Sequence, residues 1–145
     1  MSFFSSMDIA GSGLTASRLR MDIISENLAN MSTTRTENGG PYRRKMAVYE
    51  AVGESSFEQM LSENVSGSHK GGVRVAEIVE DPSEFTAVYN PEHPDADENG
   101  YVLMPNVDES QETLDMMAVT RQYQFNLSAV NAMKQMASKA LEIGR

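Results

Sequence analysis

The longest stretch free of glycine and proline runs over residues 108–143, and its apolar positions recur at helical spacing. With successive residues about 100° apart around a helix, Leu114, Ala118, Phe125, Ala129, Ala132, Met136 and Ile143 share one side. Met116, Val119, Tyr123, Leu127, Val130, Ala137 and Leu141 share nearly the opposite side. The pattern predicts a single helix of about 55 Å at 1.5 Å per residue, apolar along two stripes. A surface helix needs one such stripe. Two stripes predict a neighbour on each side, and in a chain of 145 residues the second neighbour is another molecule.

Near the other end Met7, Leu14, Met21 and Leu28 recur every seven residues, with Phe3, Ala10, Ser17, Ile24 and Met31 three residues away, which is a heptad seam containing small residues. It predicts a helix over 8–30. Gly11 and Gly13 each cost about 1 kcal/mol against alanine, so the first turns are expected to be weak, while the small residues permit close helix approach. Helices at both ends predict an antiparallel, coiled-coil-like pair with the rest of the chain inserted between them.

The polar, β-branched run 29–38 and the Gly39-Gly40-Pro41 that follows end the first helix and predict an extended connector. Strands are predicted at 42–52, 73–80, 85–89 and 101–104. A short helix is predicted at 55–61, where Ser55 and Glu58 have capping-box spacing, and a loop at 62–72. The expected fold is α+β in three parts: first helix and connector at 1–34, a β-rich insertion at 35–106, and the second helix at 107–145.

Charge narrows the partners. The net charge is -9, and no lysine or arginine lies between Arg74 and Arg121. A partner held through phosphates needs a positive face, so nucleic acid is not expected. The acidic interval reads as a solvated face or as a means of orienting head-to-tail contacts between copies. Cysteine is absent, which excludes disulfides, thiolate metal sites and thiol nucleophiles. No stretch reaches the roughly 20 apolar residues of a membrane span, and the first residues lack the pattern of a cleaved signal.

Candidate chemistry is sparse. Asp95, Asp97, Asn99 and Gly100 match the first six positions of a calcium loop, but the twelfth, which should hold a bidentate glutamate, is Asn106, and Pro105 interrupts the exit helix. An ordinary acidic turn is the simpler reading. His69 and His93 have no second ligand at metal spacing. No nucleophile motif, phosphate loop or dinucleotide fingerprint is present, so no enzyme activity, cofactor, metal or small-molecule substrate is expected. Arg43-Arg44-Lys45 reads either as a contact for an acidic neighbour or as a solvated strand end. Met116, Met117, Met133 and Met136 suit an interface that adapts to slightly different neighbours.

Two blocks carry a family resemblance. The first is Ile24-Ser-Glu-Asn27-Leu28-Ala29-Asn30 with Thr33-Thr34-Arg35-Thr36 and Gly39-Gly40-Pro41-Tyr42-Arg43-Arg44-Lys45. The second includes Val88-Tyr89-Asn90-Pro91-Glu-His93-Pro94-Asp95-Ala96-Asp97, Gly100-Tyr101-Val102, Pro105-Asn106-Val107 and Arg121-Gln-Tyr123-Gln-Phe-Asn126. Together they resemble the flagellar axial proteins, most closely those of the proximal rod; residues 51–72 have no specific counterpart. Met31 and Phe125 depart from the usual smaller residues. The resemblance implies a non-enzymatic subunit, exported through the flagellar type III apparatus without a cleaved signal. It also implies assembly with itself and other rod proteins into a hollow helical axle across the periplasm, anchored at a membrane-embedded ring and export apparatus, with terminal helices lining the tube. Candidate contact residues are Met7, Leu14, Met21, Ile24, Leu28 and Asn30 on the first helix. On the second they are Leu114, Val119, Tyr123, Phe125, Val130, Met133, Met136 and Leu141. The rival readings are a helical interaction protein forming a closed oligomer, which would use one patch twice, and a calcium-binding module.

Overall fold

A computed structural model of the chain describes residues 3–37, 39–52 and 71–143. The elements among them are α1 (Phe3–Ala29), β1 (Lys45–Ala51), β2 (Val73–Glu80), β3 (Thr86–Tyr89), β4 (Tyr101–Met104) and α2 (Glu109–Ile143). The fold is α+β: two long terminal helices with a small β-rich insertion between them.

Helix α2 starts one residue after the predicted position because Asp108 serves as its cap. The Asp108 carboxylate accepts the Gln111 N–H at 3.0 Å and its carbonyl accepts the Glu112 N–H at 2.9 Å. Glu109 and Glu112 add negative charge in the first turn, where the helix dipole is positive. Helix α1 instead begins five residues ahead of the predicted start. Of the two glycines expected to weaken it, Gly13 is closely packed, since a Cβ there would lie 2.8 Å from Asn126 Nδ2 and its absence lets α2 come close, whereas a Cβ on Gly11 would meet nothing within 4 Å. Ser12 adds a second tie. Its hydroxyl donates to the Ile9 carbonyl at 2.7 Å and accepts the Val73 N–H at 3.0 Å.

The strands form two ribbons, β1 with β2 and β3 with β4. The second is antiparallel, pairing Thr86 with Met104 and Tyr89 with Tyr101. Strands β2 and β4 fall at the predicted residues, β3 begins one residue later, and β1 begins at Lys45 rather than at 42. The predicted helix 55–61, and the predicted loop 62–72 apart from its last two residues, lie outside the described residues. The connector is not extended as predicted. Its ends are closed by the Tyr42 N–H on the Thr33 carbonyl at 2.9 Å, and inside it the Thr36 N–H reaches the Gly40 carbonyl at 2.9 Å. Gly39 (φ 77°) and Gly40 (φ 88°) take the left-handed conformation that turns the chain back.

The chain divides into two compact units, one of Met1–Leu19, Val48–Glu77 and Val119–Arg145, the other of Arg20–Ala47 and Ile78–Ala118. In the first, α1 and α2 meet at Gly13 and Asn126, the Val52 N–H bonds the Gly72 carbonyl at 2.9 Å, and Arg74 pairs with Glu50 at 2.8 Å. In the second, Ile23, Ile24, Tyr42 and Val102 form the apolar core. There α1 meets α2 at Asn27 and Glu112. Residue number falls along α2 as it rises along α1, so the helices are antiparallel.

The most deeply buried positions of α1 are Ala16, Ser17, Ile23, Ile24 and Asn27, while Met7, Leu14, Met21 and Leu28 are only half-buried. The seven-residue apolar pattern therefore marks the flank of the buried face. Its centre combines Ile23 and Ile24 with the small or polar Ala16, Ser17 and Asn27, so that Ser17 and Ile24 of the accompanying row of the seam are fully enclosed.

Candidate functional site

Asn27 is 1 % exposed and Glu112 fully buried, unusual for an amide and a carboxylate unless they are partnered. Both are. Asn27 Nδ2 donates to the Lys45 carbonyl at 2.9 Å and to Glu112 Oε2 at 3.1 Å. Asn27 Oδ1 accepts the Tyr42 hydroxyl at 2.9 Å and the Lys45 N–H at 2.9 Å. One side chain thus holds α1, the end of the connector, the start of β1 and the first turn of α2. Glu112 Oε1 accepts from Arg44 Nε at 2.6 Å. The Arg44 guanidinium also lies 3.6 Å from Asp81 and 3.5 Å from Asp115.

Around this clasp the backbone is held by side chains as well. Asn106 Oδ1 accepts the Arg44 N–H at 2.8 Å, and its Nδ2 donates to the Ser83 hydroxyl at 2.7 Å. Arg43 donates to the Asp81 carbonyl at 2.8 Å and lies 4.3 Å over the Phe85 ring. Among the described residues no buried side-chain nitrogen or oxygen lacks a hydrogen-bond partner. The Arg43-Arg44-Lys45 run is accordingly neither a solvated strand end nor a free cationic patch: Arg44 pairs with Glu112, Arg43 with backbone carbonyls, and Lys45 with Glu26.

The electrostatics follow the geometry. Burial pushes the Tyr42 hydroxyl up to about 12, reinforced by the nearby charges of Glu26, Glu112 and Glu80. For Arg44, burial works against the charge, but the hydrogen bond and charge of Glu112, with Asp81 and Asp115, outweigh it and hold the guanidinium above its ordinary value. The backbone and hydroxyl of Ser83, then Arg44, hold Asp81 below the usual carboxylate range.

The two predicted stripes of α2 have different fates. On one side Val119 is 1 % exposed and Met116, Tyr123, Val130, Met133 and Ala137 are half-buried, although Leu127 and Leu141 of that stripe are exposed. On the other, Leu114, Phe125 and Met136 are 62 %, 75 % and 66 % exposed. Among the candidate contact residues, Ile24 and Val119 are enclosed within the chain. Met7, Leu14, Met21, Leu28, Asn30, Tyr123, Val130 and Met133 are half-buried, and Leu114, Phe125, Met136 and Leu141 face solvent. Asn30 closes α1: its amide donates to the Glu26 carbonyl at 2.9 Å.

The acidic turn uses its carboxylates internally. Asp97 accepts the Asn99 and Tyr101 N–H groups at 2.9 Å and 2.8 Å, and Asp95 accepts the Thr34 hydroxyl at 2.8 Å. Among the described residues no group of three His, Cys, Asp or Glu converges as a metal site would.

Both partners of the clasp fall inside family models for one class, the flagellar rod proteins. "Flagella basal body rod protein" matches residues 7–35, which include Asn27, and "Flagellar basal body rod FlgEFG protein C-terminal" matches 98–143, which include Glu112. Full-length relatives narrow this. The flagellar basal-body rod protein FlgC of Bacillus subtilis is 49 % identical, with all of both chains covered. That of Borreliella burgdorferi is 40 % identical over 99 % of this chain and 98 % of the relative, and that of Salmonella typhimurium 37 % over all of both. The chain belongs to the FlgC family of flagellar basal-body rod proteins. It is a structural subunit of that rod, and neither a closed oligomer nor a calcium module is favoured. Among the described residues no helix is long and apolar enough to cross a membrane.

Proposed function

We propose that the chain stacks with copies of itself and with other rod proteins through the outer face of α2 and the half-covered ridge of Met7, Leu14, Met21 and Leu28 on α1. The product is a hollow helical axle that transmits torque and leaves a channel for export. Residues 1–34 and 107–145 form its assembly core and 35–106 an appended insertion. At its base it meets a membrane-embedded ring and the export apparatus. The role is mechanical, with no substrate turned over. The observation that carries this reading is the outer face of α2, where Leu114, Phe125 and Met136 stand 62–75 % exposed opposite a side already packed. An apolar row along such a helix marks an interaction surface.

The test is Phe125→Asp. The residue is 75 % exposed, so the free chain keeps its fold, while in the assembly a carboxylate would be buried without a partner. Cells carrying it are expected to lose basal bodies and swimming. Gln124→Asp, about 100° away on the same helix, is expected to leave both intact. Normal basal bodies with Phe125→Asp would overturn the proposal.

A further inference from the structure

The β3–β4 ribbon turns Ala87, Tyr101 and Leu103 to one side, because their side chains alternate with that of the enclosed Val102. Tyr101 and Leu103 remain 47 % and 52 % exposed there. With Pro41 of the connector these residues line an open cleft of about 650 Å³, whose lining also includes the acidic turn of Asp95 and Asp97. That turn is fixed before anything binds. The Asp97 N–H donates to the Tyr101 carbonyl at 2.8 Å, the Asn90 N–H donates to the Gly100 carbonyl at 2.9 Å, and Asp95 accepts the Thr34 hydroxyl at 2.8 Å. The Tyr101 ring meets that of Tyr89 edge-on, with centroids 5.3 Å apart. A cleft held open in this way costs a ligand little ordering, and its size is that of a binding pocket.

Charge selects the occupant. The unit of Arg20–Ala47 and Ile78–Ala118, which contains the whole cleft, holds five basic and fourteen acidic residues. Its basic residues already face partners: Arg20 lies by Asp115, Arg35 by Asp95, Arg44 by Glu112 and Lys45 by Glu26, while Arg43 donates to backbone carbonyls. The loop between β3 and β4 adds Glu92 and Glu98, both exposed and, among the described residues, without an ion pair. An apolar floor under an uncompensated negative field attracts cations that carry apolar surface with them. The same unit of a second copy is equally acidic and is repelled.

We infer that this cleft is a docking site for a different protein, one that presents an apolar side chain flanked by arginine or lysine. The apolar side chain covers Tyr101 and Leu103. The cation sits against Asp95, whose present neighbour Arg35 stands 3.9 Å away with its side chain 79 % exposed and is readily displaced. The site shares no residue with the helix faces of the assembly reading and does not depend on it.

Amide NMR titration of the full chain with the capped peptide Arg-Leu-Arg-Leu-Arg tests this. Shifts are expected to centre on Ala87, Asp95, Tyr101 and Leu103, with a dissociation constant of about 0.1 mM at 50 mM NaCl that weakens at least about fivefold at 500 mM. Asp95→Asn keeps an acceptor for the Thr34 hydroxyl, and Leu103→Ser alters a half-exposed position; each is expected to weaken binding about fivefold. The peptide Arg-Gly-Arg-Gly-Arg has the same charge and no apolar side chain, and is expected to bind about fivefold more weakly. Equal binding of the two peptides, shifts spread over the acidic surface away from the cleft, or unchanged binding by Asp95→Asn overturns the site. Ala87, Tyr101 and Leu103 signals that move when the chain alone is concentrated would make a second copy the occupant and overturn it as well.

Discussion

Removing the Asn27 side chain by Asn27→Ala strips partners from four groups at once: the buried Tyr42 hydroxyl and Glu112 Oε2, and the part-buried Lys45 N–H and carbonyl. A buried polar group left unpaired costs about 1–3 kcal/mol. Water entering the vacated space recovers part of that, so about 1 kcal/mol for each group, roughly 4 kcal/mol in all, is the expected loss. That sits at the upper end for one substitution and is a large share of the roughly 5–15 kcal/mol that a domain has. Asn27→Asp makes the complementary test. It keeps size and acceptor oxygens but turns a carboxylate oxygen toward Glu112 Oε2, where the amide now donates at 3.1 Å. Its loss is expected to be comparable, from repulsion in place of a hydrogen bond. Urea unfolding followed by far-ultraviolet circular dichroism measures both, with an unchanged dependence on urea confirming that the unfolded states match. A loss below about 1 kcal/mol for Asn27→Ala, or an Asn27→Asp chain as stable as the native one, would refute the clasp as the organising contact of its unit.

Other predictions follow from the same geometry. The Tyr42 hydroxyl is raised from 10.0 to about 12, so the stability tied to its neutral form is complete below pH 10 and is lost as pH rises through about 12. Two pKa units correspond to about 2–3 kcal/mol, and Tyr42→Phe is expected to lower stability at pH 7 while removing that alkaline loss, as read from denaturant midpoints across the range. Asp81 is held low, so its contribution is present above the usual aspartate range and disappears as pH falls through its lowered value; Asp81→Asn is expected to flatten that acid limb in the same titration. Gly11 has open space where a Cβ would go, whereas a Cβ on Gly13 meets Asn126 at 2.8 Å. Gly11→Ala is therefore expected to raise the thermal midpoint through about 1 kcal/mol of helix propensity, and Gly13→Val to lower it.

The helices were legible in the sequence because burial repeats along them: Met116, Val119, Tyr123 and Val130 return to one side of α2 at helical spacing, and the structure turns that side inward. The opposite stripe was legible for the same reason, and Leu114, Phe125 and Met136 do stay outside. The clasp was not legible. Its central bond joins residues 85 apart, and its members are polar, so neither periodicity nor local motif marks them. One signal was available. Glu112 lies seven residues before Val119 on the inward stripe, so a carboxylate occupies an apolar position and demands a buried partner. That partner was Arg44, set in a basic run whose surface appearance concealed it. The connector departs from its local pattern: its polar, β-branched residues favour extension individually, whereas two glycines at positive φ close it into a loop.

The absence of cysteine from the chain permits one direct measurement of the central claim, that the outer face of α2 is covered in the assembled rod. Ala132 is small, exposed and on the same stripe as Phe125 and Met136, so Ala132→Cys adds a single thiol with little change of volume. In cells that still swim, maleimide labelling of that thiol is compared between the free subunit and isolated basal bodies. Labelling in basal bodies at least tenfold slower than in the free chain is the predicted result; equal rates would contradict the account.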